Sequence, residues 1–189
     1  FTDEPYVSFA SLDEEMFSRT ATVNGISKTY GMTGWRIGFA GGPSELMRAA
    51  TKIQSQSTTC PTSISQIAAA HALTGPQDIV LERRAVLRRR RDTAVDVFNR
   101  LPGMTCKPPD GAIYLFVDCS GLIGRRTRDG QLLQSDLDVA EVLLDTAKVS
   151  TVPGVAFGRS PYLRITFALD ETKIEQAADR IAATLAEFH

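Results

Sequence analysis

Asn24-Gly25-Ile26-Ser27-Lys28-Thr29-Tyr30-Gly31-Met32-Thr33-Gly34-Trp35-Arg36-Ile37-Gly38 carries most of the chemistry legible in this chain. Its composition predicts a short strand over Thr20–Asn24, a tight loop, and a second strand opened by Arg36 and running to Ala40. The glycines allow sharp bends and a close approach of the backbone to a bound group. Lys28 alone reads as a solvated surface charge. Its company supports a second reading: glycines around it, Ser27 before it, and Arg36 eight positions later. A lysine lifted out of water loses affinity for its proton, and the freed amine can attack a carbonyl to form a Schiff base. A nearby arginine supplies a planar fork for a phosphate.

Gly25-Ile26-Ser27-Lys28, Gly31-Met32, Gly34 and Arg36-Ile37-Gly38 resemble the lysine signature of class I aminotransferases, pyridoxal 5'-phosphate (PLP) enzymes of fold type I. The wording Asn24-Gly25 with Met32-Thr33-Gly34-Trp35-Arg36-Ile37-Gly38 is similar to the bacterial aspartate/prephenate aminotransferase branch. The resemblance continues to the C-terminus. It implies that Lys28 holds PLP as a Schiff base and, once displaced by the substrate amine, moves the proton between Cα and C4′. PLP is the electron sink, and the protein positions and tunes it. Arg36 is implied as the phosphate clamp. Many relatives place a phosphate-binding Ser three before the lysine, where this chain has Gly25, so Ser27 is the hydroxyl left to serve as a cofactor-binding residue.

Arg164 is the second residue singled out. By itself, an arginine in mid-strand reads as a face charge paired with an acid. Val152-Pro153-Gly154, Phe157-Gly158 and Leu163-Arg164-Ile165 are, however, similar to the family's C-terminal pattern, in which the strand arginine grips the substrate α-carboxylate through two parallel hydrogen bonds. That geometry suits a guanidinium and not an ammonium. Gly111-Ala112-Ile113-Tyr114 resembles the family's Gly-Ala-Phe-Tyr strand and reads as core of the small domain.

The resemblance implies an α/β chain corresponding to the C-terminal part of the fold type I PLP-transferase fold. Residues 1–75 would end the large PLP-binding domain, and residues 76–189 would form the small domain with a long interdomain helix. Several family residues have no counterpart here: the acid at the pyridine nitrogen, the ring stacked on the cofactor, the Asn and Tyr at its phenolic oxygen, and the N-terminal phosphate loop. The expectation is therefore that these residues alone do not transaminate, and that the Thr20–Val23 and Arg36–Ala40 pair shows exposed edges. Ser57-Thr58-Thr59-Cys60-Pro61 falls where the family builds its subunit interface, although it reads equally as a plain Ser/Thr loop. The implied reaction moves an amino group between an amino acid of the aspartate or glutamate type and a 2-oxo acid, in a cytoplasmic homodimer.

Composition is consistent with this. With 189 residues, 43% hydrophobic and 23% charged, the chain has ordinary globular make-up. A formal net charge of −1 argues against nucleic acid or an anionic membrane as partner. No apolar run approaches the roughly 20 residues needed to span a bilayer, and Phe1–Pro5 has neither the basic start nor the apolar stretch of a signal peptide. Cys60, Cys106 and Cys119 are widely spaced with no C-x-x-C pair, and read as reduced thiols and not as a metal site.

Along the chain, Asp13–Phe17 reads as a helical turn and Thr20–Val23 as a buried strand. Ser44 reads as the N-cap of a helix carrying Leu46, Met47, Ala50 and Ile53, broken over Gln54–Pro61. Ser63 with Gln66 reads as a capping box for an Ala-rich helix closed by Gly75. His71 within it reads as a packed or half-exposed histidine, not a ligand. Pro76 opens a pattern to Leu101 that would span about 40 Å as a helix. Arg88-Arg89-Arg90-Arg91 points in four directions around that helix and is balanced by Glu82, Asp92 and Asp96, which favours a solvated, salt-bridged face over a nucleic-acid site. Strands are predicted over Ala112–Val117, Val149–Val152 and Tyr162–Phe167, with helices over Asp136–Lys148 and from Asp170 onward. Leu163, Ile165 and Phe167 take one face of their strand, and Arg164 and Thr166 the other.

Two rival readings remain. Other fold type I branches, β-lyases and decarboxylases, share the lysine loop. Some transcription regulators carry an aminotransferase-like effector domain, though their loops usually lack the Met-Thr-Gly-Trp-Arg wording.

Overall fold

The computed structural model describes residues 1–189. They form two units: Asp3–Arg83, and Arg84–His189 together with Phe1–Thr2.

In the unit Asp3–Arg83, helix α1 (Glu14–Arg19) starts at Asp13, whose carboxylate accepts the Met16 N–H at 2.7 Å. Strand β1 (Thr22–Gly25) pairs antiparallel with β2 (Gly38–Gly41), Thr22 opposite Gly41 and Gly25 opposite Gly38. The strand expected to be buried is exposed, Val23 at 78%, because the sheet has only these two strands. Arg36 does not open a strand. It closes a 3₁₀ turn over Thr33–Trp35 in the left-handed region (φ 53°), and pairing begins only at Gly38.

Helix α2 (Ser44–Ser57) has Pro43 at its N-cap, so Ser44 is its first residue and not its cap. It buries no residue, and Leu46 and Ile53 stay exposed. Helix α3 (Ser63–Thr74) is capped one residue earlier than expected: Thr62 Oγ1 accepts the Ser65 N–H at 3.4 Å, and the Gln66 amide donates to the Pro61 carbonyl. Gly75 closes the helix through its N–H to the His71 carbonyl, and the His71 side chain is exposed.

Helix α4 (Asp78–Asn99) contains the boundary between the units at Arg83 and Arg84. Its C-terminal part buries Ala94 and Phe98 in the core of the second unit. There, β3 (Tyr114–Asp118), β4 (Val152–Pro153) and β5 (Tyr162–Thr166) form an antiparallel sheet in the order β3-β5-β4. Helix α5 (Asp136–Asp145) begins with a capping box between Ser135 and Asp138, and helix α6 (Glu171–Leu185) follows Asp170.

Alternation along the strands sends Leu115, Val117, Leu163 and Ile165 into one apolar cluster with Phe98, Leu143, Ile174, Ile181 and Leu185. The opposite sheet face carries Tyr114, Phe116, Tyr162 and Arg164. β4 begins later than predicted because the exit from α5 uses the preceding residues. Lys148 adopts φ 56°, and the Val149 N–H turns back to the Leu143 carbonyl at 3.0 Å.

The arginine run is ion-paired: Arg90 to Asp170 at 2.9 Å, Arg91 to Asp92 at 2.7 Å and Arg89 to Glu171 at 3.8 Å. Its partners include the start of α6, whereas Asp96 takes Arg100. All three cysteines are free thiols, and burial pushes Cys106 to about 11 and Cys119 to about 12. No helix is long and apolar enough to cross a membrane.

Candidate active site

Lys28, Ser27 and Arg36 share one connection, residues 26–37, whose ends are brought together by the Gly25–Gly38 pair. The loop hangs on two buried side chains at its ends, Ile26 (0% exposed) and Ile37 (8%), which pack with Ala69 of α3. Tyr30 and Met32 pad this cluster. The Tyr30 hydroxyl bonds Gln77 Oε1 at 2.7 Å, and the Gln77 amide donates to the carbonyls of Gly75 and Ala72.

The first part of the loop is a turn, with the Tyr30 N–H to the Ile26 carbonyl at 3.2 Å and the Gly31 N–H to the Lys28 carbonyl at 3.3 Å. Gly31 sits at φ 65°, and a Cβ there would lie 3.2 Å from the Arg83 guanidinium. Lys28 stands exposed on this turn, and Ser27 is half-buried. The desolvation that Schiff-base chemistry draws on is not supplied to Lys28 by the side chains of this unit. Arg36 is exposed, and Nη1 donates to the Thr33 carbonyl at 3.2 Å.

Neither Lys28 nor Arg36 forms an ion pair with a carboxylate of this unit. A primary amine, a guanidinium and a hydroxyl on one pinned loop, with a second guanidinium at Gly31, form a donor set that fits an anionic phosphate beside a carbonyl. Arg83 escaped the sequence reading because in a helix rich in arginine it reads as one more face charge.

Arg164 lies in the other unit, at the centre of β5, opposite Phe116 of β3 and Val152 of β4. No acid of that unit pairs with it. Its guanidinium carbon lies 4.5 Å from the Tyr114 ring centroid and 4.7 Å from that of Phe157. Phe157 ends a 3₁₀ turn, Gly154–Phe157. Gly154 admits no side chain, because a Cβ would come 2.1 Å from the Arg159 carbonyl oxygen.

Asp136, the first residue of α5, anchors this turn from beneath. It is 1% exposed and accepts the Val155 N–H at 2.9 Å, the Ser160 hydroxyl at 2.9 Å and the Tyr162 N–H at 3.4 Å. Nearby, burial pushes the Asp118 carboxyl up, but hydrogen bonds from Ser120 and Tyr162 and the Arg159 charge outweigh it and leave the group below the usual range.

The pattern of the family described as aminotransferase class I and II matches residues 1–181. The chain belongs to this family. Its members generally work with PLP. The chain is 48% identical over 178 residues to the aspartate aminotransferase of Rhizobium meliloti strain 1021, covering 94% of this chain and 43% of that protein. It is 44% identical over 183 residues to the aspartate/prephenate aminotransferase of Cereibacter sphaeroides, covering 97% and 46%. The crystal structure of the Rhizobium meliloti aspartate aminotransferase superposes with a TM-score of 0.95 at 46% identity, over 100% of this chain and 47% of that one. The aromatic aminotransferase of Pyrococcus horikoshii superposes with a TM-score of 0.84 at 39% identity. The chain thus spans less than half the length of the relatives it matches.

Proposed function

We propose that this chain supplies the lysine loop and the carboxylate arginine of a PLP-dependent aminotransferase acting on an amino acid of the aspartate or glutamate type and a 2-oxo acid. The observation that carries this is the 26–37 loop. It pins Lys28 and Arg36 between Ile26 and Ile37 with no acid to neutralise either cation.

When bound, PLP supplies an electron sink for the electrons of the substrate Cα–H bond. Arg36 offers its fork to the phosphate, and the Ser27 hydroxyl adds a donor on the same turn. Lys28 is the amine that would hold the cofactor's carbonyl group, and its nitrogen is placed on the same turn to hold and move the Cα proton. Arg164 presents parallel N–H donors to the substrate α-carboxylate, which orients Cα–H.

In this reading residues 1–75 belong to a PLP-binding domain and residues 76–189 to a small domain, and the working enzyme is a cytoplasmic homodimer with the 57–61 loop at its subunit interface. For the 189 residues taken alone, we expect neither a stable PLP linkage nor turnover, since the family's acid at the pyridine nitrogen has no counterpart among them. In an active aminotransferase containing these residues, Lys28→Ala should abolish amino-group transfer and the borohydride-stable PLP mass on the Lys28 peptide. Near-normal turnover in that variant would sink the assignment.

A further inference from the structure

The sheet face opposite the core carries a continuous series of rings ending in a guanidinium at each side. Arg159 lies 4.9 Å over Tyr162, and Tyr162 stacks on Phe116 at 4.8 Å with 7° between the planes. Phe116 meets Phe157 edge to face at 6.4 Å and 83°. Phe157 and Tyr114 together hold Arg164. Register explains half of this arrangement: Phe116 faces Arg164 across the β3–β5 ladder, and Tyr114 is the next residue of β3 on that face. Phe157 arrives from outside the sheet, on the turn held by buried Asp136.

Contact with rings has a particular consequence for Arg164. Pairing with an acid would consume its N–H donors, whereas ring contacts restrain the side chain and leave those donors unspent. A free arginine gives up rotamer entropy when it is fixed. An arginine already held by two rings gives up less of it on meeting a carboxylate.

We propose that Tyr114 and Phe157 are positioning residues: they hold the Arg164 guanidinium ready for a substrate carboxylate, and the Phe116–Tyr162–Arg159 series braces Phe157. This rests on the assignment of Arg164 to the carboxylate given above and adds what makes that arginine effective. At about 0.5–1 kcal/mol for an exposed cation–π contact, loss of one ring should weaken carboxylate binding about two- to fivefold.

The test uses an active aminotransferase containing these residues, with NMR of the Arg164 Nε–Hε group and succinate as the probe. Leucine at Phe157 or at Tyr114 should lower the Nε–Hε order parameter, remove its ring-current shift and weaken succinate binding by the stated factor. Phe157→Tyr, which keeps a ring, should restore all three. Phe157 is exposed, so its replacement leaves the fold intact, which amide spectra verify. Arg164→Lys separates the two ideas. If it abolishes succinate binding while both leucine variants keep wild-type order and affinity, the clamp is wrong and the carboxylate reading stands. If succinate binding is unchanged in Arg164→Lys, or does not perturb Arg164 in the wild type, the carboxylate reading falls and takes the clamp's role in binding with it.

Discussion

Replacing Asp136 by alanine should unseat the turn that carries Phe157. The carboxylate is 1% exposed and has no cation against it, so its charge is stabilised by donors alone. Two of them are short, the Val155 N–H and the Ser160 hydroxyl, both at 2.9 Å, and the Tyr162 N–H at 3.4 Å adds less. Its place as the first residue of α5 adds a favourable helix dipole. Hydrogen bonds to a charged group contribute about 1.5–3 kcal/mol each, so loss of the two short ones sets a cost of about 3–6 kcal/mol. Part of that cost is the desolvation of donors left without an acceptor, because Val155 N–H cannot reorient.

Asparagine gives a sharper comparison. Its carbonyl oxygen can still face the Val155 and Tyr162 N–H groups. Its NH₂ can donate to Ser160 Oγ, whose hydroxyl hydrogen is free to rotate away. The shape and bond count are kept and only the charge is lost, so Asp136→Asn should cost about 1–2 kcal/mol. Urea titration followed by far-UV circular dichroism reads both variants, and amide exchange at Val155 reads the local effect. An alanine variant within about 1 kcal/mol of wild type, with Val155 still protected, would refute the anchoring argument. An asparagine variant as damaged as the alanine one would show that the charge, not the geometry, holds the turn.

The remaining predictions concern the other elements. Ile26→Ala should cost about 2–4 kcal/mol locally and expose the Tyr30 and Gly31 amides, seen as faster hydrogen exchange confined to the 26–37 loop. At pH 8 a maleimide should label exposed Cys60 quickly, while Cys106 and Cys119, pushed to about 11 and about 12 by burial, react slowly; rapid labelling of all three would contradict the packing around β3. The Gln134 N–H, with further bonds from Ser135, holds the Asp138 carboxyl below its usual range. Because the folded value is depressed, this stability is present above the unfolded value of about 3.9 and is lost as pH falls through the folded one. Acid titration should therefore fray the start of α5, and Asp138→Asn should remove that limb of the profile.

What could be read from the sequence follows from the range of the forces involved. The alternation in Ala112–Val117 and Tyr162–Phe167 is visible because one sheet face is buried, and side chains alternate wherever that holds. The spacing of Lys28 and Arg36 is visible because both lie on one short connection. The backbone state of Arg36 was not, since a left-handed arginine carries no compositional signal of the kind glycine gives. The neighbours of Arg164 were not legible either. They depend on the β3–β5 register and on a turn whose seat is an aspartate that, in sequence, reads as an ordinary solvated acid at a helix start. Its burial exists only once residues 154–162 fold over it. The exposure of Val23 is the converse case: β-branched composition marks a strand, but burial needs a neighbour that the two-stranded ribbon does not offer.

The two groups of proposed site residues are held by unequal means. Arg164 sits in a central strand, between Leu163 and Ile165, which are sealed into a large apolar cluster. Lys28 and Arg36 depend on a cluster whose buried members are Ile26, Ile37 and Ala69, while Leu46, Ile53, Ile64 and Ile67 of the same unit stay exposed. Local opening follows local burial, so the lysine loop lies at the low-stability end of the chain and Arg164 near the high end. Destabilising changes near Ile26 should therefore act first on the 26–37 loop and leave the ring contacts of Arg164 intact.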